Sequence, residues 1–263
     1  MKTLKLFLAV IFIGILTACS TQIEKQNEVN NESLLMATLY QQKSAEVEAL
    51  CFQAYNIAEL RLNKILENNP YEKPLAIVVD VDETVLDNSP FEAKSILENT
   101  DYPTYWKEWM EAASAKALPG AVDFLTYAST KGVETFYITN RKVQFQKETM
   151  KNLQEKGFPH VDDAHLLLRK GESSKEARRQ KVLETHEIVI LMGDNLNDFT
   201  DLFEANSIEE RHKNVENLKA EFGKKFIVLP NATYGAWVDA LLDYENLPKE
   251  EKLKKLKEAL ERF

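Results

Sequence analysis

This sequence is short of thiols and short of positive charge. Its two cysteines, Cys19 and Cys51, allow at most one disulfide. Its 33 lysines and arginines are outnumbered by 42 aspartates and glutamates, a formal charge of -9. That balance argues against a protein that grips nucleic acid through its phosphates. It leaves open small phosphorylated substrates, which a local site can capture. Long apolar stretches are also scarce: the longest, Leu6 to Leu16, has eleven residues and is too short to span a bilayer. No internal repeat or low-complexity tract is found. The four histidines, His160, His165, His186 and His212, share no common strand end in the sequence, which argues against a histidine phosphatase or a zinc site. What is present, 44% apolar and 29% charged residues, fits a folded soluble domain with an appendage.

The appendage comes first. Lys2 and Lys5 precede the apolar run, and Leu16-Thr17-Ala18-Cys19 follows it, the layout of a secretory signal. The tetrapeptide resembles a bacterial lipobox, so residues 1–18 are expected to be a signal peptide and Cys19 the lipid-bearing first residue. A plain cleaved signal with a chance cysteine is the alternative. Polar residues 19–32 then read as the lipidated cysteine and a flexible tether. Residues 33–263 read as the folded domain. Cys51 is the one thiol left, and its setting beside Leu50, Ala54 and Tyr55 marks a buried structural cysteine.

From Ser33 to Glu67 the pattern predicts one long helix, capped by Asn31 or Ser33 and stopped at Asn69-Pro70, with a stripe through Leu35, Leu39, Val47, Leu50, Ala54, Ile57, Leu60 and Ile65. Five short, continuous apolar runs follow: "PLAIVVD", "VETFYIT" from Val133, "AHLLL" from Ala164, "EIVILMGD" from Glu187 and "KKFIVLP" from Lys224. Continuous runs suit strands buried on both faces. Helical patterns alternate with them at residues 121–131, 142–156 and 174–185. This predicts an α/β fold, a parallel sheet with helices on both faces. The aromatic-rich segment 90–118 does not fit the alternation. It reads as a cap, helped by residues from about 33 to 70. The tail after Pro248 reads as a solvated helix.

In open parallel sheets, ligands bind beyond the carboxyl ends of the strands. Three such ends here carry reactive residues: Asp80, Asp82 and Thr84 after the first strand, Thr139, Asn140 and Arg141 in "YITNR", and Gly193, Asp194, Asn195 and Asp198 in "MGDNLNDF". Lys175 opens the helix that leads toward the fourth strand. Each has a plainer reading. Thr139 could cap the next helix, Lys175 could be one more surface lysine, and Asp194 and Asp198 could be N-cap and first-turn acids. A calcium loop at Asp80 is excluded, because Val85 stands where its glycine should and Phe91 where its bidentate glutamate should. A metal-binding DxD glycosyltransferase site remains a rival for Asp80 and Asp82. The order of these residues along one βα chain is more specific than any one of them.

That set resembles the haloacid dehalogenase superfamily of phosphohydrolases. The longer strings "IVVDVDETVLDN" and "IVILMGDNLNDF", with "LPNATYGAW" near the end, resemble the class C acid phosphatases, the lipoprotein e family. The resemblance implies a haloacid dehalogenase-like Rossmannoid sheet with a small helical cap. It also implies a phosphomonoesterase lipid-anchored at Cys19 in the bacterial envelope, at the outer membrane. The expected cofactor is Mg²⁺, held by Asp80 and Asp194 and, the resemblance implies, by the backbone carbonyl of Asp82. Asp80 would attack phosphorus, Asp82 would shuttle the proton, and Thr139, Asn140, Arg141 and Lys175 would bind the phosphoryl group. Asp198 would orient Lys175 or support the metal. The crowd of aromatics adds a substrate expectation: Trp106 and Tyr234 stack on the base of a nucleoside 5'-monophosphate. The alternatives are a phosphotransferase of the same superfamily, or a non-catalytic binding and uptake lipoprotein on the same fold. A homodimer is left open.

Overall fold

The computed structural model describes residues 34–68, 70–204 and 207–263. The expectations for the signal peptide, Cys19, the tether and a cap at Asn31 or Ser33 lie outside the described residues, as does Asn69. The elements in chain order are α1 (Leu35–Lys43), α2 (Ala45–Glu67), β1 (Leu75–Val79), β2 (Leu86–Asp87), α3 (Ser89–Leu97), α4 (Trp106–Ala112), β3 (Lys116–Ala117), α5 (Ala121–Thr130), β4 (Glu134–Lys142), α6 (Gln146–Glu155), β5 (Leu166–Arg169), α7 (Glu176–Thr185), β6 (Glu187–Gly193), α8 (Ile208–Leu218), β7 (Phe226–Val228), α9 (Ala236–Leu241) and α10 (Lys249–Glu258). Short 3₁₀ turns lie at Val143–Phe145, Leu196–Asp198 and Asp201–Phe203.

All five apolar runs became strands of one sheet, ordered β5-β4-β1-β6-β7, and every pairing is parallel. β1 is central and all five of its residues are buried. Ile77 and Val79 pack into a layer with Cys51, Tyr55 and Leu62 of α2 and Phe124 and Leu125 of α5. Ala76 and Val78 face the opposite way, toward Val182 of α7 and Phe199. Two buried faces explain the unbroken run of apolar residues. Burying each valine or isoleucine there is worth about 1.5–3 kcal/mol.

The N-terminal helix is two helices. Ser44 is extended (φ -82, ψ 134), ends α1 and accepts a hydrogen bond from Val47 N as the N-cap of α2. This break shifts the phase of the helical repeat. The buried stripe of α2 is Val47, Cys51, Ala54, Tyr55, Ala58 and Leu62, whereas Leu35, Leu39, Leu50 and Leu60 are exposed. α2 belongs to the helical layer on the sheet, while α1 packs on α3. The segment between β1 and α5 contains α3 and α4 and is closed by an antiparallel ribbon that pairs Leu86 with Ala117 and Asp87 with Lys116. Two-residue strands carry too little pattern to be read from sequence. Among the described residues, no helix is long and apolar enough to cross a membrane.

Candidate active site

The carboxyl ends of β1, β4 and β6 converge, as the order of the motifs requires. Asp80 follows β1 directly, and its N–H donates to Met192 O of β6 at 3.0 Å. This fixes the first acid beside the end of the strand that delivers Asp194. After Gly193 the chain turns sharply. Asn195 accepts from Asn197 N, and Asp198 accepts from Asn195 N at 3.0 Å, a closed capping box. That turn folds Asp198 over Gly193 so closely that a Cβ there would lie 2.3 Å from Asp198 Oδ2. Only glycine fits.

Lys175 is buried between two acids, donating to Asp80 Oδ1 and to Asp198 Oδ1 at 2.6 Å. One oxygen from each of Asp80, Asp194 and Asp198 lies within 4.8 Å of the others. Asp194 also accepts from Asn231 Nδ2 at 2.8 Å and from Thr84 Oγ1 at 3.4 Å. Two buried carboxylates, Asp80 and Asp198, thus share one lysine, and the half-buried Asp194 lies against them. The electrostatics follow from that count. Burial raises the Asp80 carboxyl, Lys175 pulls it down, Asp198 and Asp82 push it up again, and the balance leaves it at about 7. Burial, Asp198 and Asp80 hold Asp194 well above the usual carboxylate range. Burial favours a neutral Lys175, but Asp198 and Asp80 outweigh it and raise its pKa. The lysine is therefore a fixed cation among acids whose ionised forms repel one another.

Asp82 lies one turn away. Its Oδ1 accepts from Arg141 Nε at 2.9 Å and Nη2 at 2.8 Å, and from Asn88 Nδ2 at 2.7 Å. Among the described residues, its Oδ2 meets only the Thr139 hydroxyl, at 3.4 Å. The chain after Asp82 turns back at Glu83, which is buried at φ 55 and accepts from Asn88 N at 2.8 Å and from the Tyr234 hydroxyl.

The expected site residues divide accordingly. Asp80, Lys175, Asp194 and Asp198 form one cluster, and Asp82 and Thr139 sit beside it. Arg141, expected on the phosphoryl group, is instead buried and committed to Asp82, Asn88 and Thr149. The cause is that β4 runs on through Lys142, so Arg141 is a strand residue rather than part of a loop. Asn140 is exposed and accepts from Arg178 Nη2 at 2.7 Å. Tyr234 reaches the site through Glu83, and the residue is 38% exposed. Trp106 packs edge-on against Phe91, 5.0 Å between centroids, and lies 5.6 Å from Tyr102. Among the described residues, its ring–ring contacts are with these two aromatics.

Sequence reasoning gave no role to Glu83, Asn88, Asn231 or Arg178. Glu83 and Asn88 stood inside the quoted motif, but nothing in one dimension distinguishes them from turn residues. The histidines need a correction. His165 and His186, each just before a strand, both meet Glu134 Oε2, at 2.9 and 3.2 Å. They share the amino end of the sheet, opposite the acids.

Comparison with known proteins decides the family. The family described as "HAD superfamily, subfamily IIIB (Acid phosphatase)" matches residues 15–237. The chain belongs to that family. The class C acid phosphatase of Bacillus anthracis is 43% identical, with a TM-score of 0.87 over 90% of this chain and 99% of that one. The same Bacillus anthracis enzyme with tungstate bound is 44% identical, with a TM-score of 0.86 over 88% and 98% of the two chains. This HAD acid phosphatase is accordingly a phosphomonoesterase, with its acids gathered at the carboxyl end of a parallel sheet.

Proposed function

We propose that this acid phosphatase is a magnesium-dependent 5'-nucleotidase anchored by lipid at Cys19 to the bacterial outer membrane, and that it works through an aspartyl phosphate on Asp80. The observation that carries the chemistry is the buried Asp80 carboxylate at the end of β1, held by Lys175 and flanked by Asp194 and Asp198. The donor set fits magnesium, which takes carboxylate and carbonyl oxygens. The repulsion among the ionised forms of these acids is what such a cation would relieve. Asp80 and Asp194, with the backbone carbonyl of Asp82, would hold it. Bound there, it supplies positive charge that lets a carboxylate approach a phosphate dianion.

The residues then have separate tasks. An Asp80 oxygen attacks phosphorus as the ester P–O bond breaks. Asp82 delivers a proton to the departing alcohol oxygen, then takes one from the water that attacks the aspartyl phosphate, releasing inorganic phosphate and restoring Asp80. The Lys175 ammonium and the Thr139 hydroxyl donate to the phosphoryl oxygens. Asp198 keeps the lysine in place, and Arg141 keeps Asp82 in place. A relative that binds tungstate, a tetrahedral oxyanion like phosphate, supports an oxyanion-binding enzyme. The base is assigned to the open ring of Tyr234, with Trp106 as the second ring, since stacking on one aromatic is worth about 1–3 kcal/mol.

The test compares AMP with p-nitrophenyl phosphate. EDTA should abolish both activities and magnesium restore them. Tyr234→Ala should lower kcat/KM about tenfold for AMP and little for p-nitrophenyl phosphate, while Tyr234→Phe, which keeps the ring face, should spare AMP. Equal losses on the two substrates would remove the nucleotide assignment, and full activity in EDTA would remove the metal. Cys19→Ser should move the enzyme from the membrane to the soluble fraction, and continued sedimentation with membranes would contradict the lipid anchor.

A further inference from the structure

Asn88 immediately precedes α3, in the position where an asparagine side chain ordinarily caps a helix. It caps nothing: Ser89 N is taken by Asp87 Oδ1 at 2.9 Å. The Asn88 side chain turns inward instead, leaving the residue 1% exposed. There its amide makes four contacts. Nδ2 donates to Asp82 Oδ1 at 2.7 Å and to Glu83 Oε2 at 3.3 Å. Oδ1 accepts from Trp109 Nε1 at 2.8 Å and from Arg141 Nη2 at 3.3 Å. Two donors and two lone pairs are the full capacity of an asparagine amide. The indole N–H can only donate, so the amide has one orientation, with its NH₂ facing the two acids.

The consequence falls on Asp82. Asn88 and Arg141 direct three donor contacts at Oδ1, leaving Oδ2 with the single long contact from Thr139. The two oxygens of one carboxyl are thereby made unequal. Oδ1 is the anchored acceptor, and Oδ2 is the oxygen free to carry a proton.

We propose that Asn88, oriented by Trp109 of α4, is a positioning residue that fixes Asp82 with Oδ2 as its proton-carrying oxygen. This rests on the reading of Asp82 as general acid. It adds that the segment between β1 and α5 reaches the proton-transfer step through one indole N–H. The same amide also bridges Asp82 to Glu83, which is buried at φ 55 and repelled by the Asp82 charge. The Asn88 NH₂ lies between the two carboxylates and donates to both.

The test measures kcat/KM for p-nitrophenyl phosphate, whose leaving group needs no proton, and for β-glycerophosphate, whose alkoxide does. Asn88→Ala should lose about thirtyfold or more on β-glycerophosphate and about threefold on p-nitrophenyl phosphate. Trp109→Phe, which keeps an aromatic side chain but loses the N–H together with the pyrrole half of the indole, should shift the same ratio about fivefold, and it decides the matter if Asn88→Ala does not fold. The double variant Asp82→Asn/Asn88→Ala should be no worse on β-glycerophosphate than Asp82→Asn alone, because one function is lost once. Equal losses on both substrates, or additive losses in the double variant, would mean that Asn88 is scaffold. If Asp82→Asn itself shows no leaving-group dependence, the general-acid reading fails first. If it does and the Asn88 and Trp109 variants do not, the positioning role alone fails.

Discussion

The two ends of the sheet solve the problem of acidic residues in opposite ways. At the amino end, Glu134 is met by His165 and His186, and His165 is held in turn by Asp162 at 2.8 Å. Both histidines pack against Phe136, at 4.8 and 4.9 Å. At the carboxyl end, Asp80 and Asp198 are buried on either side of one lysine, with the half-buried Asp194 beside them. The first arrangement lowers the pKa of its acid, through hydrogen bonds from His165 and His186. The second raises the pKa of Asp80 and Asp194. Opposite shifts in acids on one sheet separate a stabilising contact from a site held in readiness for a ligand.

The largest effect should come from removing an acid at the carboxyl end. Asp194→Asn should lower kcat/KM more than about a hundredfold, yet stabilise the enzyme in EDTA. A carboxyl with a raised folded pKa costs stability above that pKa, and the cost disappears as pH falls to the unfolded value. The gain in Tm should therefore be about 2–4 °C near pH 8, as for roughly 1 kcal/mol in a domain of this size, and should vanish near pH 4. A loss of both activity and Tm would erase the distinction between the two ends.

At the amino end the effect should be smaller and of opposite kind. Glu134→Gln should leave kcat/KM unchanged and lower Tm by about 1–3 °C, since these side chains are partly exposed and their pairing is screened. The sign follows from both partners. His165 is desolvated, which lowers its pKa, but Glu134 and Asp162 outweigh this and raise it above 6.5. Its contribution is full below 6.5 and is lost as pH rises through the raised value. Glu134 is held below 4.5, so its contribution is present above 4.5 and is lost as pH falls through the lowered value. His160, 5.3 Å from His165, is itself held low by burial and by that neighbour. The Tm difference between wild type and Glu134→Gln should be greatest between pH 4.5 and 6.5. A difference that grows above pH 8 would contradict the clamp.

The same contrast separates what one dimension revealed from what it hid. The strands were legible because burial on both faces leaves β1 and β6 no room for polar residues. The acids were legible because each follows such a run directly. The Ser44 break was hidden: a serine among helix formers changes the helical phase without changing the composition. The amino-end cluster was hidden because His165, His186 and Glu134 each precede or open a different strand, and only the parallel sheet aligns those starts. The bonds of Arg141 to Asp82 were hidden because 59 residues separate the two in the chain. Asn88 had no signal of its own, since an asparagine before Ser-Pro reads as a helix cap.

The central claim is that Asp80 becomes covalently phosphorylated. The most direct measurement is acid quenching of the magnesium-loaded enzyme during turnover of p-nitrophenyl phosphate, followed by mass spectrometry of the peptide containing Asp80 and Asp82. One added phosphoryl group, sited on Asp80 by fragmentation and absent from Asp80→Asn, is the predicted result. Normal phosphate release with that peptide unmodified at every quench time would contradict it.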